Sequence, residues 1–190
     1  LTKKEQIVHA AIQVFREQGI DKTKISDIVK VAGIAQGTFY LYFPSKLALM
    51  PAIAEVMVEK TMTMVKEKVG DDDVFPKQLE HFVDAIFLVN EEYREIQALI
   101  YSGLAASEHI KEWEAVYEPF YKWLSEKLAS AREEGWIRQT VQPKQTAKLI
   151  IGLVESAAEQ IYLYDTNTEE EARIQKAQVN EFLAYALSMR

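Results

Sequence analysis

Apolar residues recur along this chain at intervals of three and four. Ile7, Ala11, Val14 and Phe15 mark one face of a first helix over residues 3–18, with Gly19 as its stop. Ile25, Ile28, Val29 and Ala32 give a short second helix ending at Gly33. After the turn 33–36, a third short helix over 37–43 sets Phe39 and Phe43 on one face, and Pro44 ends it. Ser45 caps a fourth, longer helix running to about residue 69, closed by the acidic turn at Gly70 to Asp73. Further helices are predicted at 75–92, 95–107, 109–134 and from Pro143 to about 164. Thr168 and Glu171 form a capping box for a last helix with the stripe Val179, Phe182, Leu183, Ala186 and Leu187. No stretch alternates with period two, so the predicted fold class is all-α, with about nine helices. A three-helix head over 1–46, a connector helix over 45–69 and a larger helical body over 47–190 are the expected parts.

Composition sharpens this picture. The 190 residues are 48% hydrophobic with seven Gly and five Pro, a packed protein with few turns. The absence of cysteine excludes a disulfide scaffold, a thiolate metal site and a cysteine nucleophile, and fits a reducing compartment. A cytoplasmic location is therefore expected. The run Leu149 to Val154, bounded by Lys148 and Glu155, falls far short of the roughly 20 apolar residues of a spanning helix, so no membrane partner is expected. The N-terminus reads as an amphipathic helix and not as a signal peptide.

The net charge of −7 argues against nucleic acid until its distribution is considered. Residues 1–50 hold seven basic side chains (Lys3, Lys4, Arg16, Lys22, Lys24, Lys30, Lys46) against four acidic ones (Glu5, Glu17, Asp21, Asp27), a balance of +3 that leaves −10 for the rest. A mildly basic head on an acidic body fits a DNA-binding module joined to a domain with another task.

Two short helices joined by a tight turn containing Gly form a helix-turn-helix. With Phe39 and Phe43 packed inward on Phe15, Ile28, Ala32 and Ile34, the outward set is Gln36, Gly37, Thr38, Tyr40, Leu41 and Tyr42. Gly37 lets backbone approach a groove closely, while hydroxyls and a carboxamide address phosphates or base edges. Lys46 adds positive charge at the start of the next helix.

At these residues the sequence resembles the TetR family of repressors. The stretch Ala32 to Lys46, AGIAQGTFYLYFPSK, carries the family's pattern of alanine-glycine, turn, glycine-threonine, spaced tyrosines, phenylalanine and lysine. The resemblance implies that Thr38, Tyr40, Tyr42 and Lys46 contact phosphates of a double-stranded operator, with Gln36, Gly37 and Leu41 closest to bases. It departs from the family at Lys24, where a threonine usually caps the second helix, and at Leu47, where an acidic residue usually follows the lysine. Lys24 then serves as a further phosphate contact, with Thr23 capping one position earlier. Beyond residue 50 the likeness is architectural, and it implies a small-molecule effector and a homodimer through the last two helices. Gly152, Ser156 and Ala157 allow close helix approach there, although an intrachain core would use the same apolar stripe.

In the body, Trp113, Tyr117, Phe120, Tyr121 and Leu124 share one helical stripe, with Tyr93 and Tyr101 in neighbouring helices. The stripe reads either as core or as the wall of a ligand pocket. Glu155 and Glu159 stand at i, i+4 on an otherwise apolar helix. They read either as a solvent-facing acidic edge or as buried partners for a cationic, lipophilic ligand. In the connector, Pro51 is expected beyond the first turn, where it kinks the rod. Four of the five methionines, 50, 57, 62 and 64, fall in the same helix and repack readily, which suits a movable element.

An enzyme is not expected. His9, His81 and His109 are isolated, with none of the spacings of a zinc or di-iron helix pair, and no phosphate-binding glycine loop or G-x-S-x-G is present. No metal and no cofactor are anticipated. The rival to a ligand-released repressor is a helical ligand- or protein-binding module of the same fold without specific operator recognition.

Overall fold

The structure is a computed structural model describing residues 1–71, 73–104, 114–164 and 168–189, with 101–104 described by backbone alone. No strand is found among the described residues, which form α1 (Lys3–Gln18), α2 (Ile25–Ala32), α3 (Gln36–Tyr42), α4 (Met50–Lys68), α5 (Phe75–Glu92), α6 (Arg94–Leu104), α7 (Glu118–Glu133), α8 (Pro143–Tyr162) and α9 (Glu169–Leu187), with 114–116 also helical. The all-helical class and the helical head follow the sequence pattern closely. No single helix among these is long and apolar enough to cross a membrane.

The chain divides into two compact units, one of residues 1–57 with 95–116 and the other of 58–94 with 117–190. This division differs from the motif boundary at residue 46, because the start of α4 and much of α6 group with the head. Within that first unit Arg16 of α1 pairs with Glu95 of α6 at 3.1 Å.

In the first unit α1 packs on α2, and α2 on α3. Thr2 and Glu5 form a reciprocal capping box at the start of α1. The inner face joins Ile7, Ala11, Val14 and Phe15 to Ile28, Phe39 and Phe43, all buried. Gly33 closes α2 in the left-handed region at φ 65°, which reverses the chain toward α3 without the penalty a side chain would incur. In the second unit α8 is central: α5, α7 and α9 each pack on it, and α5 also meets α9, where Lys176 pairs with Asp84 at 3.0 Å.

Three expectations are corrected. Thr23 does not cap α2: its hydroxyl is buried and donates to the Gly19 carbonyl at 2.7 Å, while Lys24 is the N-cap residue and its N–H is taken by Asp27 at 2.9 Å. The stripe over 109–134 is not one helix throughout. Pro119 supplies no N–H and so suits the first turn of a helix; α7 begins at Glu118 with Tyr117 as N-cap, and residues 109–113 lie outside the described ones. Pro51 does not kink a helix interior. Lacking an N–H, it leaves the Leu47 carbonyl to Met50 in a tighter turn over Leu47–Leu49, and the α-helix proper starts only at Met50. Ser45 does cap this stretch, accepting from the Ala48 N–H at 3.2 Å.

Pro51 thus stands in the first turn of α4, where a missing N–H costs little. Pro51→Ala is expected to change unfolding free energy by less than about 1 kcal/mol in urea titration. A gain near 3 kcal/mol, the penalty of an interior proline, would contradict this placement.

Candidate nucleic-acid interface

The helix α3 has seven residues and no side-chain cap, too little to hold itself in water. Burial of Phe39 and Phe43 holds it, their rings 5.8 Å apart in a tilted pair. With those two turned inward, the remaining positions face out. Leu41 is 82% exposed and Tyr40 and Tyr42 about half exposed, while Gln36 and Gly37 are also exposed and Thr38 half-buried. An 82% exposed leucine beside two open tyrosines on one short helix is an apolar and hydroxyl-bearing ridge of the kind that enters a groove.

Gly37 has ordinary helical backbone, and a Cβ there would meet nothing within 4 Å. The fold therefore has no need of glycine at this position. Its bare backbone lies open on the exposed face of α3.

The approach to α2 is tied at several points. Gln18 donates to the Thr23 hydroxyl at 3.3 Å and to Asp27 at 3.1 Å, and the backbone N–H of Lys24 and the Gln18 amide together hold the Asp27 carboxyl below its usual pKa. The Lys24 side chain is exposed at this helix start, as a phosphate contact needs to be. Lys46 differs from its expected outward role. Its ammonium turns inward, donating to the carbonyl of Ile20 and, at 2.8 Å, to that of Thr23.

In the second unit the aromatic and acidic residues singled out in the sequence meet in part. Tyr117 stacks on Tyr121 with ring centres 5.7 Å apart, and the Lys148 ammonium lies 4.8 Å from the Tyr121 ring. The Tyr117 hydroxyl hydrogen-bonds the Glu155 carboxyl. Phe120 is fully buried against Phe82 at 5.8 Å and belongs to the core. Tyr93 lies on the second unit's surface layer, with the Lys60 ammonium 5.1 Å from its ring. The Tyr101 side chain and Trp113 lie outside the described residues. Glu155 and Glu159 are both half-buried, and burial, with a smaller push from Glu159, raises Glu155 to a pKa of about 8 despite the Tyr117 hydrogen bond. Glu155 is thus no solvated acidic edge.

Sequence reasoning passed over two buried polar groups. Asn90, 3% exposed, donates to the Ile86 carbonyl at 2.9 Å, but its Oδ1 has no partner among the described residues. Thr61 is buried in α4. The signal was present in both cases: Asn90 continues the stripe Leu79, Phe82, Val83, Ile86, and Thr61 falls between Met57 and Val65 on theirs.

Protonated Glu155 suits the folded state and ionised Glu155 opposes it, so stability is full below pH 4.5 and declines as pH rises toward 8. Glu155→Gln removes the titration. Urea unfolding at pH 5, 6.5 and 8.5 is expected to show the variant gaining about 1–3 kcal/mol on the wild type between the first and last pH. A constant difference across that range would contradict the burial of this carboxyl.

Residues 7–53 match the family model for bacterial regulatory proteins of the tetR family, and 79–187 match that for the tetracyclin repressor-like C-terminal domain. A helix-turn-helix-type transcriptional regulator of Bacillus subtilis, YvdT, is 42% identical over 185 residues, covering 97% of this chain and 95% of the relative. Among solved structures, FadR of Bacillus subtilis in complex with stearoyl-CoA has the same fold, with a TM-score of 0.74 at 19% identity over 94% of this chain and 96% of that one. GusR of Salmonella enterica does too, with a TM-score of 0.70 at 23% identity over 98% and 95% of the two chains. With head and body each matched and one relative alike almost end to end, this chain belongs to the TetR family of helix-turn-helix transcriptional regulators.

Proposed function

We propose that this regulator is a cytoplasmic repressor that binds a palindromic operator as a homodimer and leaves it when a small hydrophobic or aromatic ligand enters the body. The observation that carries the DNA-binding part is the open face of α3, Gln36, Gly37, Thr38, Tyr40, Leu41 and Tyr42, standing over a core of Phe39 and Phe43. In this reading Thr38, Tyr40, Tyr42 and Lys24 hold phosphates, while Gln36, Gly37 and Leu41 lie nearest the bases. The head's +3 balance, against −10 for the rest, suits a DNA partner.

Dimerisation rests on a second observation, an apolar face left uncovered on α8 and α9. Leu149, Leu153, Ile174, Phe182 and Tyr185 are exposed there, with the small residues Gly152 and Ser156 between them. An exposed face of this size on two long helices fits an isologous four-helix contact with a second copy. Such a dimer sets two recognition helices about 34–36 Å apart, or a multiple of that, to meet successive turns of DNA.

The effector is read from the second unit. Tyr93, Tyr117, Tyr121 and Glu155 with Glu159 supply aromatic walls and hydrogen-bonding groups, and a fold neighbour is solved with stearoyl-CoA. With a pKa of about 8, Glu155 is mostly protonated at neutral pH and acts as a neutral hydrogen-bonding group. An uncharged apolar ligand meets no penalty from it, whereas a lipophilic cation must first displace its proton.

Fluorescent duplexes from the region upstream of the chain's own gene, titrated beside an unrelated duplex, test the DNA-binding reading. The expected preference is about a thousandfold, and Tyr40→Ala is expected to weaken the preferred complex about tenfold or more. Equal, weak binding to upstream and to genome-wide duplex libraries would favour a ligand- or protein-binding module instead. For the dimer, Phe182→Glu is expected to convert a two-fold species into a monomer in sedimentation velocity at micromolar concentration. A variant that sediments like the wild type would place the contact elsewhere.

A further inference from the structure

The charge on Lys46 is used inside the head. The chain leaves α3 at Phe43 in extended backbone, passes Pro44 and Ser45, and becomes helical again at Lys46. From there the ammonium reaches back 26 and 23 residues to the carbonyls of Ile20 and Thr23. Those two oxygens belong to the turn between α1 and α2. The same turn is held by the Thr23 hydroxyl on Gly19 and by Gln18 and Lys24 on Asp27. It follows the C-terminus of α1, where the helix dipole adds negative potential that favours a cation. An ammonium has three donors, and at least two of them point into the protein.

Two DNA-facing parts meet across this clamp. One is the start of α2 with the exposed Lys24, and the other is the end of α3 with Tyr40, Leu41 and Tyr42. A duplex is stiff, so a phosphate anchored at one part and bases read by the other must both fall at fixed separations. The clamp spans the two by cation-to-carbonyl hydrogen bonds, which are short and directional. Resting on the DNA-binding reading above, we propose that Lys46 is a positioning residue for operator recognition, setting the recognition helix against the α1–α2 turn through the Ile20 and Thr23 carbonyls.

Arginine separates this role from a phosphate contact. It keeps the charge, and a guanidinium grips phosphate at least as well as an ammonium does. Its longer, planar fork presents its donors differently and does not reproduce the geometry of two carbonyls set around a compact ammonium. The probes are a duplex selected by the wild type from a random pool and its scrambled counterpart, across a salt series, with Lys46→Arg, Lys46→Met and, as a phosphate-contact control, Lys24→Gln. Lys46→Arg is expected to lose about tenfold or more on the selected duplex and to hold its affinity for the scrambled one, with an unchanged slope of log affinity against log salt. Lys24→Gln is expected to lower that slope by about 0.9 and to weaken both duplexes alike. Amide hydrogen exchange is expected to speed up in both Lys46 variants over residues 18–27, with α1 protected as in the wild type.

Wild-type affinity in Lys46→Arg would overturn the proposal in favour of a plain phosphate contact, as would unaltered exchange at residues 18–27. Exchange raised across the whole of α1 to α3 would overturn it in favour of a purely structural role. A wild type that selects no duplex sinks the DNA-binding reading itself, an outcome distinct from wild-type binding with an indifferent Lys46→Arg.

Discussion

The head depends on the burial of two rings. A seven-residue helix without side-chain caps has no stability of its own, because nucleation fixes several residues for each hydrogen bond gained. Phe39, fully buried, and Phe43 tie α3 to the hydrophobic face of α1 and α2. Each buried aromatic side chain contributes on the order of 1.5–3 kcal/mol, enough to hold so short a segment. The outward face follows from the inward one. Once positions 39 and 43 are committed to the core, helical geometry directs 36, 37, 40 and 41 to solvent, where they form a surface that packing did not choose.

Much of this was legible in the sequence because it rests on period and punctuation. The limits of α1, the Gly33 reversal, the stop at Pro44 and the Thr168 capping box are local events, decided by a residue and its neighbours within one turn. What stayed hidden depends on partners far along the chain. Lys46 reads as an open cation beside a helix start, and only the fold brings the Ile20 and Thr23 carbonyls to it. Thr23 reads as a cap, but its hydroxyl finds the carbonyl of Gly19 behind it and not the helix ahead. Pro51 and Pro119 are local signals of another kind. Each marks where regular α-helix begins, and a long apolar stripe is not enough to carry a helix through it.

The body shows the same division. Its apolar stripes foretold the helices but not which of two stripes faces inward. On α8 the residues Ile150, Ile151, Val154 and Ala158 go to the core, while Leu149 and Leu153 remain outside. Sequence left the acidic pair at 155 and 159 open between a wet edge and a shielded site. For Glu155 the structure removes enough water to favour the neutral form, against the opposing hydrogen bond from Tyr117. Asn90 and Thr61, the polar residues set into apolar stripes, are the same kind of exception. A group whose desolvation is costly sits where a hydrocarbon would have packed without penalty.

Gly37 carries a consequence for how such a regulator changes over generations. Alanine in its place would strengthen an ordinary helix by about 1 kcal/mol, and the space its methyl would fill is empty. Neither folding nor packing resists replacement at this position. The same freedom extends to Gln36 and Leu41, whose side chains face away from the aromatic core. Sequence drift can therefore change the chemistry of this ridge while the two rings beneath keep the scaffold intact. The exposed ridge and the stability of the head rest on different residues, so the one can change without renegotiating how the chain folds.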